Sequence, residues 1–291
     1  MNAQTLAEPA DADIAHPVRG IVHRTRGQRH GPITRLMSPS DLGELLKPFV
    51  FLDLFDAEPS AFSGFGPHPH SGIATLTLIQ QGSTGYADST GKSGVLPEGG
   101  VEWMQAGGGV WHTGGSTRAA RVRGFQLWVA LPPSLENAPP YSQYLAPEDI
   151  ALVGPARVLL GQYGQAGSAI TPPSPMNYLA VRLKDGESWR YHTPHGHSVA
   201  WVAVSRGRLQ SAELLDQGEL AVYEPSEAPI NFRAIGDAEF VLGSAVPHPH
   251  PLVLGSYSVH TSGEALRKGG EGIRRVGARL RAERGPGVPL L

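Results

Sequence analysis

The chain has 291 residues, with 24 Lys and Arg against 26 Asp and Glu, a net charge of −2 and a pI near 6.6. So balanced a surface gives no electrostatic drive toward nucleic acid or an anionic membrane, and neither is expected as a partner. Cysteine is absent, which removes disulfides, zinc ribbons, iron–sulfur clusters and thiol nucleophiles and fits a reducing cytosol. The first twenty residues lack the basic start and apolar core of a secretory signal, and no run approaches the roughly 18 apolar residues of a membrane span. The expectation is a soluble, cytoplasmic protein. With 37 glycines and 26 prolines between short apolar runs, the composition predicts an all-β chain of one large or two ordinary domains.

Residues 1–15 are small and polar, with Glu8, Asp11 and Asp13, and read as a frayed tail. Residues 16–146 alternate strand-like runs with glycine turns and form a first β unit. Within it, Pro67-His68-Pro69-His70-Ser71-Gly72 places two histidines at i and i+2. In a strand that spacing aims both imidazoles at one side. Thr75-Leu76-Thr77-Leu78-Ile79 alternates as a strand, and Asp88-Ser89-Thr90-Gly91 reads as a turn. Gly107-Gly108-Gly109-Val110-Trp111-His112 then brings a third histidine. The run lacks the Gly-Lys-Ser/Thr ending of a phosphate loop, and neither a serine elbow nor an HExxH motif occurs. Gly124–Val129 is another strand, ended by Leu131-Pro132-Pro133, and Pro139-Pro140 opens an extended linker.

Three imidazoles suit Fe(II), Ni(II), Cu(II) or Zn(II) and leave coordination positions open for substrate. Trp103, Met104, Trp111, Phe65 and Phe125 are candidates for an aromatic pocket wall, with the core as the competing place for at least two of them. Residues 147–254 repeat the pattern as a second β unit: His195-x-His197-Ser198 echoes the first pair, as an ancient duplication would. Where the first unit reaches His112, the second offers Ile230, Asn231 and Phe232, so no metal site is expected there. His192, His195 and His197 are assigned structural or surface roles, and His248-Pro249-His250 an extended edge or linker. In residues 255–291, Thr261-Ser262-Gly263-Glu264 has capping-box spacing ahead of a helix carrying Leu266, Ile273, Val276 and Leu280. Gly269, Gly270, Gly272 and Gly277 weaken that helix, and Gly285-Pro286-Gly287 stops it. Arg274, Arg275, Arg279, Arg281 and Arg284 read as its solvated face, with a partner-binding patch as the alternative.

Several of these segments together resemble the pirin family in order and spacing, over roughly residues 17 to 280. They are Asp53 within Phe51-Leu52-Asp53-Leu54-Phe55, the HPHSG segment, Asp88-Ser89-Thr90-Gly91, Val101-Glu102-Trp103-Met104-Gln105-Ala106-Gly107 leading to His112, and Gly255-Ser256-Tyr257-Ser258-Val259. The resemblance implies an all-β bicupin, two antiparallel β-barrels of the double-stranded β-helix type with a short C-terminal helix. It implies metal in the N-terminal barrel only, Fe(II) in type, and for some members quercetin 2,3-dioxygenase activity. Other members are metal- or redox-sensitive partners of transcription factors. The implied ligands are His68, His70 and His112, plus a glutamate two residues further on, a position held here by Gly114.

A glutamate that broader cupins place four residues after the second histidine falls on Ala74, and the expected glycine–aspartate pair is Gly99-Gly100. Glu98 and Glu102 are the nearest acids, and neither occupies a recognised ligand position. The site is therefore expected to be carboxylate-poor. Three neutral imidazoles leave the full +2 charge on a metal, which favours chelating anionic or ionised substrates but supplies no built-in base. Three readings follow. The first is an Fe(II)-dependent oxygenase acting on a flavonol-like or other small chelating aromatic. The second is a non-catalytic metal or redox sensor working through a protein partner. The third is a barrel without metal; another divalent transition metal in place of iron also fits the donor set.

Overall fold

The structure, a computed structural model, describes residues 19–58, 64–116 and 121–284. The tail at residues 1–15 and the Gly285-Pro286-Gly287 stop lie outside them. The chain opens on β1 (Ile21–Thr25), β2 (Gln28–His30) and β3 (Ile33–Met37), then a helix of five residues, α1 (Leu42–Leu46). β4 (Phe49–Ala57), β5 (Gly64–His70), β6 (Ile73–Gln81), β7 (Thr84–Asp88) and β8 (Ser93–Leu96) follow. β9 (Val101–Gln105), β10 (Val110–Ser116), β11 (Val122–Ala130) and β12 (Tyr141–Leu145) complete the first half. The second half runs through β13 (Leu152–Val153), β14 (Ala156–Leu160), β15 (Gln162–Tyr163), β16 (Ala166–Gly167), β17 (Met176–Leu183) and β18 (Ser188–Tyr191). It ends with β19 (Val199–Gln210), β20 (Leu214–Asp216), β21 (Leu220–Tyr223) and β22 (Ile230–Ala245). A hairpin, β23 (Val253–Gly255) and β24 (Ser258–His260), leads into α2 (Gly263–Arg284).

The first half is two antiparallel sheets, ordered β12-β9-β6-β11-β4-β3-β2 and β5-β10-β7-β8. The second half is one large sheet around β19, β22 and β17. One crossover is absent from the sequence reading: β1 pairs with β21, so the strand that precedes the first half is hydrogen-bonded into the second. β12 likewise shows that the stretch after Pro139-Pro140 is a paired strand on β9 rather than a linker.

Period-two alternation decides what each strand of the long first sheet presents on its two sides. Leu52, Leu54, Leu76, Leu78, Trp103, Phe125 and Leu127 face outward into a core shared with Leu159, Tyr178, Trp201 and Val241 of the second half. Phe49 meets Trp201 edge-on across that junction at 5.5 Å. Trp103 and Trp201 are both fully buried, and truncating either to alanine costs about 3–5 kcal/mol. Their neighbours of opposite parity face inward: Asp53, Gln126, Thr77 and Glu102 stand in register on adjacent strands, forming a polar row. The corresponding interior of the second half is filled instead by Tyr191, Leu209, Phe232, Phe240 and their apolar neighbours. The polar row of the first half borders a cavity that also holds histidines, whereas the pocket beside Trp189 and Phe232 in the second half is lined by no His, Asp or Glu.

The C-terminal helix expected after Thr261 spans 22 residues, despite four internal glycines. Ala265, Gly269, Gly272, Gly277 and Leu280 are its buried positions, a stripe at helical spacing. A Cβ at Gly272 would lie 1.7 Å from the Gly108 carbonyl oxygen, and one at Gly269 2.5 Å from Ser71 Oγ. These two glycines let the helix backbone press onto the first half, and that contact compensates their low propensity. The capping box is replaced by a simpler cap, with Ser262 Oγ accepting from Ala265 N at 3.2 Å. Thr261 is drawn away because buried Glu136 takes both its N–H and its hydroxyl, at 2.6 and 2.8 Å. Glu264 pairs with Lys268 instead. Arg274, Arg275, Arg279 and Arg281 are exposed, as expected of a solvated face.

Candidate metal centre

β5 is an edge strand, bonded only to β10, which is why it tolerates Pro67 and Pro69 with their missing N–H donors. His68 stands directly opposite His112, and His70 opposite Val110. The ligating nitrogens of His68, His70 and His112 lie within 4.8 Å of one another. Nε2 of His112 is 2.9 Å from Nε2 of His68. Two imidazole nitrogens at about 2.1 Å from one ion and near a right angle sit about 3 Å apart, so this spacing fits a shared metal.

Backbone carbonyls fix two of the three rings. Nδ1–H of His68 donates to Gly66 O at 2.8 Å, and Nδ1–H of His70 to Tyr257 O at 2.9 Å, leaving Nε2 free to coordinate in each. Tyr257 holds its carbonyl in place from a left-handed turn, φ +58°, a conformation uncommon for a non-glycine residue. Burial, with His112 nearby, lowers the His68 pKa to about 4, and burial holds that of His70 well below the ordinary value. Both rings are therefore neutral near pH 7, the form a metal requires. The donor set fits a first-row divalent ion.

The imidazoles open on a cavity of about 480 Å³. Phe51 and Trp128 stack at 4.0 Å on one wall, and Trp128 also meets the His70 ring edge-on at 4.9 Å. Tyr86 and Tyr257 add further aromatic surface. Arg35 lies over Phe51 and makes a bidentate pair with Asp53, at 2.6 and 3.2 Å.

The expected aromatic wall is thus misplaced. Trp103 and Phe125 sit in the shared core, Met104 packs with Ala106 and Val110, and Trp111 donates its Nε1–H to Ile273 O of α2 at 3.0 Å. The side chain of Phe65 lies outside the described ones. Strand parity is the reason for Trp103, Phe125 and Trp111, whose neighbours Glu102, Gln126 and His112 occupy the inward positions; Met104 shares the parity of Glu102 but packs beyond the cavity. Phe51, Trp128 and Tyr257 were missed, although the first two alternate with apolar core residues in a way that could have revealed them.

The acids resolve in a similar manner. Gly114 lines the cavity two residues beyond His112, so the position of the expected fourth ligand faces the site without a side chain. Ala74 belongs to the shared core and faces away. Glu98 is exposed. Glu102 is buried and borders the cavity, with Oε1 at 3.8 Å from Nδ1 of His112.

The second half brings no comparable cluster together among the described residues. His195 and His197 lie in a turn rather than a strand. His195 is exposed beside Glu227, while His197 is buried against Ser244. His248 and His250 also lie outside any strand. Behind His70, Ser71 Oγ meets His260 Nε2 at 3.0 Å and His260 Nδ1 faces Glu136 at 3.4 Å. That order of groups suits a hydrolase, but all three are buried and none lines the cavity. They fasten the C-terminal hairpin to the strand that carries the histidine pair.

Comparison with known proteins agrees with this architecture. A family model described as Pirin matches residues 31–129. A Pseudomonas aeruginosa protein with the provisional name quercetin 2,3-dioxygenase is 32% identical over 240 residues, 76% of this chain and 83% of that one. A solved quercetin 2,3-dioxygenase from Acinetobacter baumannii matches with a TM-score of 0.81 at 26% identity, covering 89% of this chain and 98% of its own. The Escherichia coli bacterial pirin YhhW, solved in complex with nickel(II), matches with a TM-score of 0.63 at 20% identity, covering 79% and 96%. The fold is a bicupin with a C-terminal helix. By its similarity to these proteins over most of their length, the chain belongs to the pirin family.

Proposed function

We propose that this protein is an Fe(II)-dependent dioxygenase of the quercetin 2,3-dioxygenase type, with His68, His70 and His112 as its metal ligands. The observation that carries the proposal is the convergence of three imidazoles, their ligating nitrogens within 4.8 Å of one another, on a cavity walled by stacked Phe51 and Trp128. Bound there, the iron would supply the Lewis acidity and redox chemistry that couple a chelating substrate to dioxygen.

The protein's own groups account for substrate choice. Phe51, Trp128, Tyr86 and Tyr257 suit a flat aromatic ligand. With Gly114 in place of an acid, nothing at that position repels an ionised hydroxyl approaching the histidines, so substrates that arrive as chelating anions are favoured. The names of the relatives in Pseudomonas and Acinetobacter support a flavonol as the first compound to try.

The test is oxygen uptake by protein loaded anaerobically with Fe(II), assayed with quercetin beside His68→Ala and His112→Ala variants. Uptake that depends on quercetin and is lost in both variants is expected. Equal rates in wild type and variants would refute the proposal.

A further inference from the structure

We infer that Glu102 is the acidic group of this centre, acting from behind His112 as a positioning residue and not as a ligand; the inference rests on the three-histidine reading above. Val101 and Trp103 point into the shared core, so Glu102 between them must point inward. There it is only 6% exposed and borders the cavity. The other acid lining the cavity, Asp53, is engaged by Arg35. Asp88, on the neighbouring strand, takes the Thr90 N–H at 2.7 Å and the Tyr144 hydroxyl at 2.9 Å.

The hydrogen bonds around Glu102 leave one direction open. Its Oε2 lies 2.9 Å from Thr77 Oγ1, whose single proton is also 2.9 Å from Gln126 Oε1 as an alternative acceptor. Tyr144 lies 2.9 Å from Asp88 and 3.3 Å from Glu102 Oε1, and its single proton goes to the nearer acceptor. Oε1 of Glu102 then has a free lone pair on the side of His112 Nδ1, at 3.8 Å, an electrostatic separation longer than a hydrogen bond. His68 and His70 direct the same ring nitrogen to neutral carbonyls. His112 alone in the cluster faces a carboxylate.

A carboxylate there selects the tautomer with hydrogen on Nδ1, which turns the Nε2 lone pair toward His68 and His70. It also makes the imidazole a stronger donor and offsets part of the metal charge through the ring. The acid missing at Gly114 is thereby replaced one residue further from the metal.

The test is anaerobic titration of the full chain with Co(II), followed by visible absorption, comparing wild type with Glu102→Gln. The amide keeps the side chain's size and removes its charge. We expect about 10- to 100-fold weaker Co(II) binding, a changed Co(II) spectrum, and an unchanged melting temperature of the metal-free protein. In a Gly114→Glu background, which offers a direct carboxylate, the same substitution should cost less. Equal affinity and spectrum for wild type and Glu102→Gln, or equal cost in both backgrounds, overturns the inference. Wild type that binds no Co(II) would instead overturn the three-histidine reading on which it rests.

Discussion

Two glycines in α2, only two residues apart, should respond to alanine with opposite signs. In an exposed helix interior, Gly→Ala gains about 1 kcal/mol through propensity. At Gly270 the added Cβ would meet only the flexible end of Arg274, at 3.5 Å, so Gly270→Ala should realise that gain. At Gly272 the same carbon would lie 1.7 Å from the Gly108 carbonyl oxygen and 2.9 Å from its carbon. Both atoms belong to the backbone, so α2 or the loop before β10 must move to relieve the clash. Overpacking of this kind costs about 3 kcal/mol, leaving a net loss of about 2 kcal/mol after the propensity gain. For a chain of this size that is a fall of roughly 3 °C in melting temperature.

The effect should reach the site. Gly108 belongs to the turn that feeds β10, and Trp111 on that strand is tied to Ile273 of α2, so displacing the helix displaces His112. Thermal melts of the metal-free proteins, paired with metal content after Fe(II) loading, measure both consequences. Gly270→Ala should melt higher than wild type and Gly272→Ala lower, with metal retention reduced only in the latter. A Gly272→Ala protein as stable as Gly270→Ala would refute the close-approach account of this helix.

Other outcomes follow from the same geometry. Gly114→Glu places a carboxylate on the cavity face two residues beyond His112, and should raise metal retention in dialysis; unchanged retention contradicts the assignment of this position. The His68 pKa is lowered to about 4 from 6.5, so the unfolded chain takes up that proton before the folded protein does. The stability tied to neutral His68 is present above pH 6.5 and lost as pH falls toward 4, by at most about 3 kcal/mol. Denaturant melts of metal-free His68→Ala should decline less steeply than wild type across that interval, and parallel declines would contradict the assignment.

The histidine pair was legible because strand parity acts locally: residues 68 and 70 share a face wherever the strand lies. The third histidine emerged from the larger block of matching residues around it, and the direct His68–His112 pairing in the structure explains the match. The role of Glu102 was not legible, because it depends on which strands become neighbours and in what register. Local parity did carry a hint: a charged residue between Val101 and Trp103 must face away from the side where those two are buried. The aromatic wall failed for the same reason, since it was inferred from residue type without asking which side of each strand faced the site. The strand β1 and the buried glycines of α2 depend on contacts made far along the chain. Propensity alone reads Gly269 and Gly272 as weak points, whereas packing makes them the positions where the helix docks.

The central claim is tested most directly by metal analysis of the full chain, purified without chelator and reloaded anaerobically with Fe(II), beside His68→Ala and His112→Ala. The account predicts about one metal ion per wild-type chain and almost none in either variant, with all three proteins folded. Wild type that takes up no metal, or variants that keep it, would contradict the three-histidine centre.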